Sequence, residues 1–194
     1  INNASDLSGA SNVYVTSGGE SGPDGLVMVD ATQGVALGNL EEDLKNDDDA
    51  SGSENVVFGV KDAAEFIAGE ISSDPSALRE AEMVIADNDG SMIDIDQAAA
   101  IQGLANYNAE SSSYRIEDSA ADILTAEGKN AVEDSGVSQV YVTDTATVQE
   151  GIQLSDLNIA LGDVSATSDS HIDFNVAGTS GEILSAGTDL SGAS

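Results

Sequence analysis

The strongest constraint on the fold is an internal repeat, because matching segments are expected to adopt matching structures. The segment "YVTDTATVQEGIQL" (141–154) has a counterpart in "VMVDATQGVALGNL" (27–40), and a third copy begins with "VIAD" at Val84. In each copy an apolar, strand-like run is followed by an aspartate and then by a helical pattern. These aspartates lie 57 residues apart (87 − 30 and 144 − 87) and are Asp30, Asp87 and Asp144. An aspartate that recurs between a strand and a helix is predicted to be the helix N-cap, which accepts backbone N–H groups.

A second strand–helix unit lies between these copies. The segment "SYRIEDSAADILTA" (113–126) parallels "VFGVKDAAEFIAGE" (57–70), and "HIDFNVAGTSGEILSA" (171–186) is a weaker copy. At a spacing of 57, four apolar helix positions match in pairs: Ala63 with Ala120, Ala64 with Ala121, Phe66 with Ile123, and Ile67 with Leu124. Each 57-residue period therefore holds two strand–helix units.

The units predict an α/β repeat protein. Tyr114 and Ile116 alternate as on a strand, whereas Ala120, Ile123 and Leu124 follow helical spacing. Strands joined through helices pair in parallel, and stacked units bury one another. We expect a single repeat domain, either a parallel-sheet β/α solenoid or a compact repeat domain. It would cover residues 1–194, with periods of approximately 1–56, 57–112 and 113–169 and a partial period of 170–194.

The acidic balance limits the partners of the chain. Thirty-six Asp and Glu residues stand against five Lys and Arg residues, for a formal net charge of -31. Such a field repels nucleic acid and anionic membranes and attracts divalent cations. The first residues, "INNASDLSGA", lack the pattern of a signal peptide, and no apolar run is long enough to cross a bilayer. We expect divalent cations as partners, no nucleic acid and no membrane insertion. The absence of cysteine excludes disulfides and thiolate chemistry.

The pattern "YRIEDSAADIL" followed by "VSQVYVTDTATVQEGIQL" resembles a repeat of very large bacterial surface and secreted proteins. These include type I-secreted adhesins of the RTX (repeats-in-toxin) group and surface-layer proteins. The resemblance is closest over residues 113–154 and implies an extracellular, calcium-dependent, non-enzymatic structural role. The glycine-rich nonapeptide of RTX proteins is absent, since "SGGESGPDG" (17–25) lacks its spacing. A calcium-filled β-roll is therefore not predicted.

The best candidate for a metal site is the loop "ADNDGSMIDID" (86–96), which holds four aspartates, Asp87, Asp89, Asp94 and Asp96. Calcium takes six to eight oxygen ligands, and loops of Asp, Asn and Gly supply them. The spacing does not fit an EF-hand, because Ile85 falls where the first ligand belongs. The alternative interpretation is a solvated acidic loop inserted into one repeat. We predict Ca2+ as the cofactor of this loop.

Catalysis is not expected. The chain has one histidine, His171, no tryptophan and no nucleophile elbow, so the common catalytic arrangements lack their parts. Two functions remain open. The first is a structural module, namely a spacer or a surface-layer or filament-forming subunit, whose partners are neighbouring repeats or copies of itself. The second is a calcium-dependent adhesion domain that binds a glycan or a surface ligand.

Overall fold

Short strands alternate with helices along the chain. The structure is a computed structural model and describes residues 12–15, 20–45, 55–74, 76–87, 90–161, 172–190 and 193. The described strands are β1 Asn12–Tyr14, β2 Glu20–Ser21, β3 Val27–Val29, β4 Asn55–Val57, β5 Gly59–Ala63, β6 Met83–Asp87, β7 Met92–Ile93, β8 Tyr114–Asp118, β9 Val137–Thr147 and β10 Ile172–Ala177. The described α-helices are α1 Ala31–Lys45, α2 Ala64–Ser73, α3 Ile95–Gln102, α4 Ala120–Ile123, α5 Ala126–Val132, α6 Val148–Ala160 and α7 Ser180–Ala186. None of these helices combines the length and the apolar character needed to cross a bilayer.

Within the two larger sheets the strands lie in the order of the sequence, except that β4 pairs elsewhere. One sheet has the order β2-β3-β5-β6, and another has the order β7-β8-β9-β10. All the pairs in these two sheets are parallel except β2 with β3. Strand β1 pairs in parallel with β4, which directly precedes β5. The predicted α/β class with parallel sheets is confirmed, because a helix separates each pair of parallel neighbours.

Backbone hydrogen bonds join the two larger sheets. The segment that leads into β8 runs beside β6, where Val84 N donates to Asn106 O over 2.9 Å and Asn108 N donates to Val84 O over 2.9 Å. Further along, Ser113 N donates to Ala86 O over 2.8 Å. The chain then enters β8 and pairs with β7 and β9. The segment before β8, which includes a 3-10 helix at Ala109–Ser111, thus contacts β6, and β8 itself contacts β7.

A single cluster of buried apolar side chains lies between the strands and the helices. Each helix from α1 to α6 places isoleucine, leucine or alanine residues into it, in keeping with the spacing of apolar residues in the sequence. Its fully buried members include Phe58, Ile67, Ile93, Ile101, Ile116, Ile123, Leu154, Ile172 and Phe174.

The predicted match of Phe66 with Ile123 is wrong by one residue. Ile123 is fully buried, whereas Phe66 is 55% exposed. In α2 the buried residue that corresponds to Ile123 of α4 is Ile67. The caps agree with this shift, since Ala63 precedes α2 and Ser119 precedes α4, a spacing of 56 (119 − 63). The residue at which each helix begins, and not the match of the alanine pairs in the sequence, therefore accounts for which residue of α2 is buried.

The one-residue shift between α2 and α4 is tested by truncating Ile123 and Phe66 to alanine in separate variants. Ile123→Ala should lower the free energy of unfolding by about 2–5 kcal/mol, because it leaves a cavity in the core. Phe66→Ala should lower it by less than about 1 kcal/mol, because the ring lies mostly in solvent. Urea unfolding followed by circular dichroism measures both values. Equal losses in the two variants would contradict the shifted alignment.

Candidate functional site

Aspartates on three of the parallel strands cap the helices of the preceding units. The first backbone N–H group of an α-helix has no partner within the helix. In three units a carboxylate on the next strand accepts it. The bonds are Ala31 N to Asp62 Oδ2 (2.9 Å), Ile95 N to Asp118 Oδ2 (3.1 Å) and Ala120 N to Asp144 Oδ1 (2.8 Å). Each aspartate therefore joins its own strand to the helix of the unit before it.

The register of the parallel strands produces these bonds. Asp118 pairs with Val142, so that Ala120, two residues further on, lies opposite Asp144. Likewise Ile93 pairs with Ile116, which places Ile95 opposite Asp118. A carboxylate at this position also lies at the positive end of the helix dipole, where negative charge is favourable.

The prediction that Asp30, Asp87 and Asp144 cap the helices that follow them is confirmed for Asp30 alone. Asp30 Oδ1 accepts Gln33 N over 2.7 Å at the start of α1. Asp144 lies within β9, and Thr147 is the N-cap of α6. The reason is that β9 continues beyond Asp144 to pair with β10, with Ala177 opposite Thr147. The N-terminus that Asp144 caps is that of α4.

Asp87 likewise does not cap the helix that follows it. It lies at the end of β6, where its carboxylate is 3.2 Å from Lys61 Nζ on the neighbouring strand β5. The N-cap of α3 is Asp94, which accepts Gln97 N over 2.8 Å, while the Gln97 side chain accepts Asp94 N over 3.0 Å. Because β7 and its flanking residues are inserted between Asp87 and α3, the residue directly before the helix is Asp94.

An acidic groove of about 380 Å³ lies where α3, α4 and α5 begin. It brings together carboxylates from successive units because the N-termini of these helices lie side by side. The groove is lined by Asp94, Ile95, Asp96, Asp118, Asp122, Thr125 and Glu127. Two of these carboxylates already accept backbone N–H groups: Asp94 accepts Gln97 N, and Asp118 accepts both Ile95 N and Ser119 N. The helix ends thus offset part of the repulsion within the groove.

The structure separates the four aspartates of the predicted calcium site. Asp94 and Asp96 line the acidic groove, whereas Asp87 is paired with Lys61 and Asp89 lies outside the described residues. Within the described ranges, no three acidic or histidine side chains are arranged so as to hold a metal ion. His171 also lies outside the described residues. Calcium binding by this loop therefore stays a prediction. Asp118, Asp122 and Glu127 share the groove with Asp94 and Asp96, although they belong to later parts of the sequence.

A partly buried tyrosine network connects α3, β8 and the segment after α5. Tyr107 Oη donates to Asp134 Oδ1 over 2.8 Å, and Gly136 N donates to the same oxygen over 2.8 Å. Gln102 Nε2 donates to Tyr114 Oη over 2.7 Å and to the carbonyl oxygen of Ala131 over 2.9 Å. Sequence reasoning missed this network, since its members lie far apart in the chain and follow no motif.

Burial is the main cause that raises the pKa of both Tyr107 and Tyr114. For Tyr107 the neighbouring Tyr114 and the hydrogen bond to Asp134 raise the pKa further. Both phenols are therefore protonated at neutral pH. They act as hydrogen-bonding parts of the interior and not as nucleophiles or bases.

Comparison of this chain with protein-family models, with curated proteins and with solved structures finds no match.

The cross-strand aspartates are tested by substitution of Asp118. Asp118→Ala removes the acceptor of two backbone N–H groups and should lower the free energy of unfolding by about 1–3 kcal/mol. Asp118→Asn retains one amide oxygen and should recover part of this loss. The matched control is Asp156→Ala at an exposed position of α6, which should change stability by less than about 0.5 kcal/mol. Equal effects of Asp118→Ala and Asp156→Ala in urea unfolding would contradict the capping role.

The tyrosine network predicts a loss of stability in alkali. A phenol whose pKa is raised by folding keeps its proton in the native state after the unfolded chain has lost it. Its contribution is complete below the unfolded pKa of about 10 and declines as the pH rises beyond that value. Tyr107→Phe should lower stability by about 1 kcal/mol at pH 7 through loss of one hydrogen bond. It should also make the decline above about pH 10 shallower.

Urea midpoints measured at a series of pH values from neutral to alkaline would give this slope. Tyr141→Phe, which removes a phenol outside the network, is the control. The same change of slope in both variants would argue against a special contribution from Tyr107.

Proposed function

We propose that this chain is a non-enzymatic structural module of an extracellular bacterial surface protein. In this proposal it is a β/α repeat unit that acts as a spacer or as a surface-layer or filament-forming subunit, stabilised by calcium or by high salt. The observation that carries the proposal is the set of cross-strand aspartates. Through them three strand–helix units supply a cap for the unit before them, as expected of contacts that hold successive units together.

The order of the strands supports the same proposal. Consecutive strands are parallel neighbours from β7 to β10, and a helix lies between each pair. In such an arrangement each unit contacts mainly the next, so length can be added without redesign of the core. An extended scaffold needs this property, whereas a small-molecule enzyme does not.

The charge of the chain connects this role to the medium. A formal net charge of -31 opposes a compact state unless counter-ions collect around it. The acidic groove gathers five carboxylates at one place and is where we expect cations to accumulate most. Calcium or high salt would then stiffen the stack by reducing repulsion between successive units. The sequence resemblance to RTX-type adhesins and surface-layer proteins points to the same surroundings.

The proposal is tested by thermal unfolding in a buffer of low ionic strength. Addition of calcium should raise the melting temperature, and a chelator should lower it again by several degrees, because an ion that binds the folded state stabilises it by mass action. Magnesium at the same concentration and sodium chloride at the same ionic strength are the controls. They separate a calcium site from general screening of charge.

Two further outcomes decide the parts of the proposal. An equal rise with calcium and with sodium chloride of matched ionic strength would remove the specific role of calcium and leave stabilisation by salt. A melting temperature that does not respond to any of the ions would overturn the claim that cations in the medium stabilise this acidic chain. Asp94→Asn combined with Asp96→Asn should weaken the calcium response if the groove holds the ion.

A further inference from the structure

Strand β10 is the last full strand of its sheet. On its inner side it pairs with β9, and on its outer side, among the described residues, only Ala193 reaches it. Ala193 forms a single parallel bridge with Phe174. The backbone beyond Phe174 on this outer edge is thus available to a further parallel strand.

The sequence around Ala193 occurs twice in the chain. The hexapeptide "DLSGAS" stands at residues 6–11 and again at 189–194, a distance of 183 residues (189 − 6). The residue before it is a hydroxyl residue in both places, Ser5 and Thr188. In the first occurrence the hexapeptide is followed directly by β1, Asn12–Tyr14. The hexapeptide that contains Ala193, which bridges to β10, therefore directly precedes a strand where it occurs first.

Strand β1 has one edge for which no described strand is a partner. Within the described part of the chain it pairs with β4 alone, in parallel. A chain that continued beyond Ala193 as the sequence continues after the first hexapeptide would place Asn12 opposite Val176 and Val13 opposite Ala177. The direction of the strands remains parallel throughout, as it is in every pair from β7 to β10.

The last described α-helix, α7, follows β10 and exposes apolar side chains to solvent. Leu184 of α7 is 82% exposed and Ile183 is 40% exposed. In α6, the preceding helix, Leu154 and Leu157 are buried. Apolar residues at helical positions of a terminal unit are what a further unit would cover.

We propose that copies of this chain join head to tail, with β1 of one copy added in parallel to β10 of the copy before it. The hexapeptide Asp189–Ser194 is the joint, and it takes the place of residues 6–11 of the following copy. This inference rests on the proposed function in that it treats the chain as a stackable unit, and it names the surfaces that meet. It does not require calcium.

A shared hexapeptide favours a covalent joint. Two separate copies would bring two hexapeptides to one place, and each copy carries a formal net charge of -31, so that they repel one another. A chain in which residues 1–194 are followed directly by a second set of residues 12–194 contains the hexapeptide once at the joint. In such a chain the second copy is also held near the first at high effective concentration.

Urea unfolding of this fusion chain, compared with the single chain, tests the proposal. If the two copies share a sheet, they should unfold in one transition at a higher midpoint, with a denaturant slope rising to about twice that of the single chain. In the control fusion a flexible glycine–serine linker stands between Ser194 and Asn12, and the hexapeptide at 189–194 is scrambled. That chain should unfold at the midpoint of the single chain. The same midpoint and slope in the direct fusion would overturn the proposal.

A surface variant localises the contact. Leu184→Ser should leave the midpoint of the single chain unchanged, because the side chain is exposed there, and should lower the midpoint of the fusion when placed in its first copy. Phe66→Ser, at an exposed position of α2 away from the joint, should have the same effect in both chains. If Leu184→Ser shifts neither chain, α7 is not part of the contact and the proposed joint is wrong. All measurements are made with calcium and with a chelator, so that failure of the calcium role and failure of the joint give different results.

Discussion

The carboxylate that lies on one strand and accepts the first N–H group of the helix before it is the contact that joins successive strand–helix units in this fold. The carboxylate supplies a hydrogen-bond acceptor to an N-terminal N–H group, which has no partner within its own helix. It also works only in one register, because a slip by one residue would move Asp118 away from Ile95 N and turn its strand's apolar side chains away from the core. One side chain thus caps a helix, aligns two strands and connects two successive units.

This contact also explains how so acidic a chain tolerates its own charge. Carboxylates that accept helix N–H groups are stabilised by the peptide dipoles, and their repulsion is offset where they are most concentrated. The acidic groove is the place where three helix ends meet, and its carboxylates come from several units. Cations would add to a stabilisation that the backbone already supplies. For this reason dependence on the medium is expected to be graded, with the fold itself carried by the core and the caps.

Two features show how structure outside the regular elements joins the units. The segment that precedes β8 runs along β6 and joins the two sheets through backbone hydrogen bonds, and the tyrosine network connects this segment to the region after α5. Neither feature follows an alternating or helical pattern of residues. The segment after α5 returns to the side of Tyr107 after a full strand–helix unit, and this brings Asp134 and Gly136 next to that tyrosine. Such contacts depend on the path of the whole chain.

By itself, the sequence determined the α/β class, because the spacing of apolar residues along a strand or a helix is a local property, and it predicted parallel pairing from strands joined through helices. It also located Asp94 and Asp96, though not the groove that they share with Asp118, Asp122 and Glu127. Only the tertiary structure decided which helix each aspartate caps and which face of α2 is buried. The physical reason is that both depend on register between strands: Asp144 reaches the N-terminus of α4 because β8 and β9 are aligned side by side, and no spacing within one strand–helix unit contains that alignment.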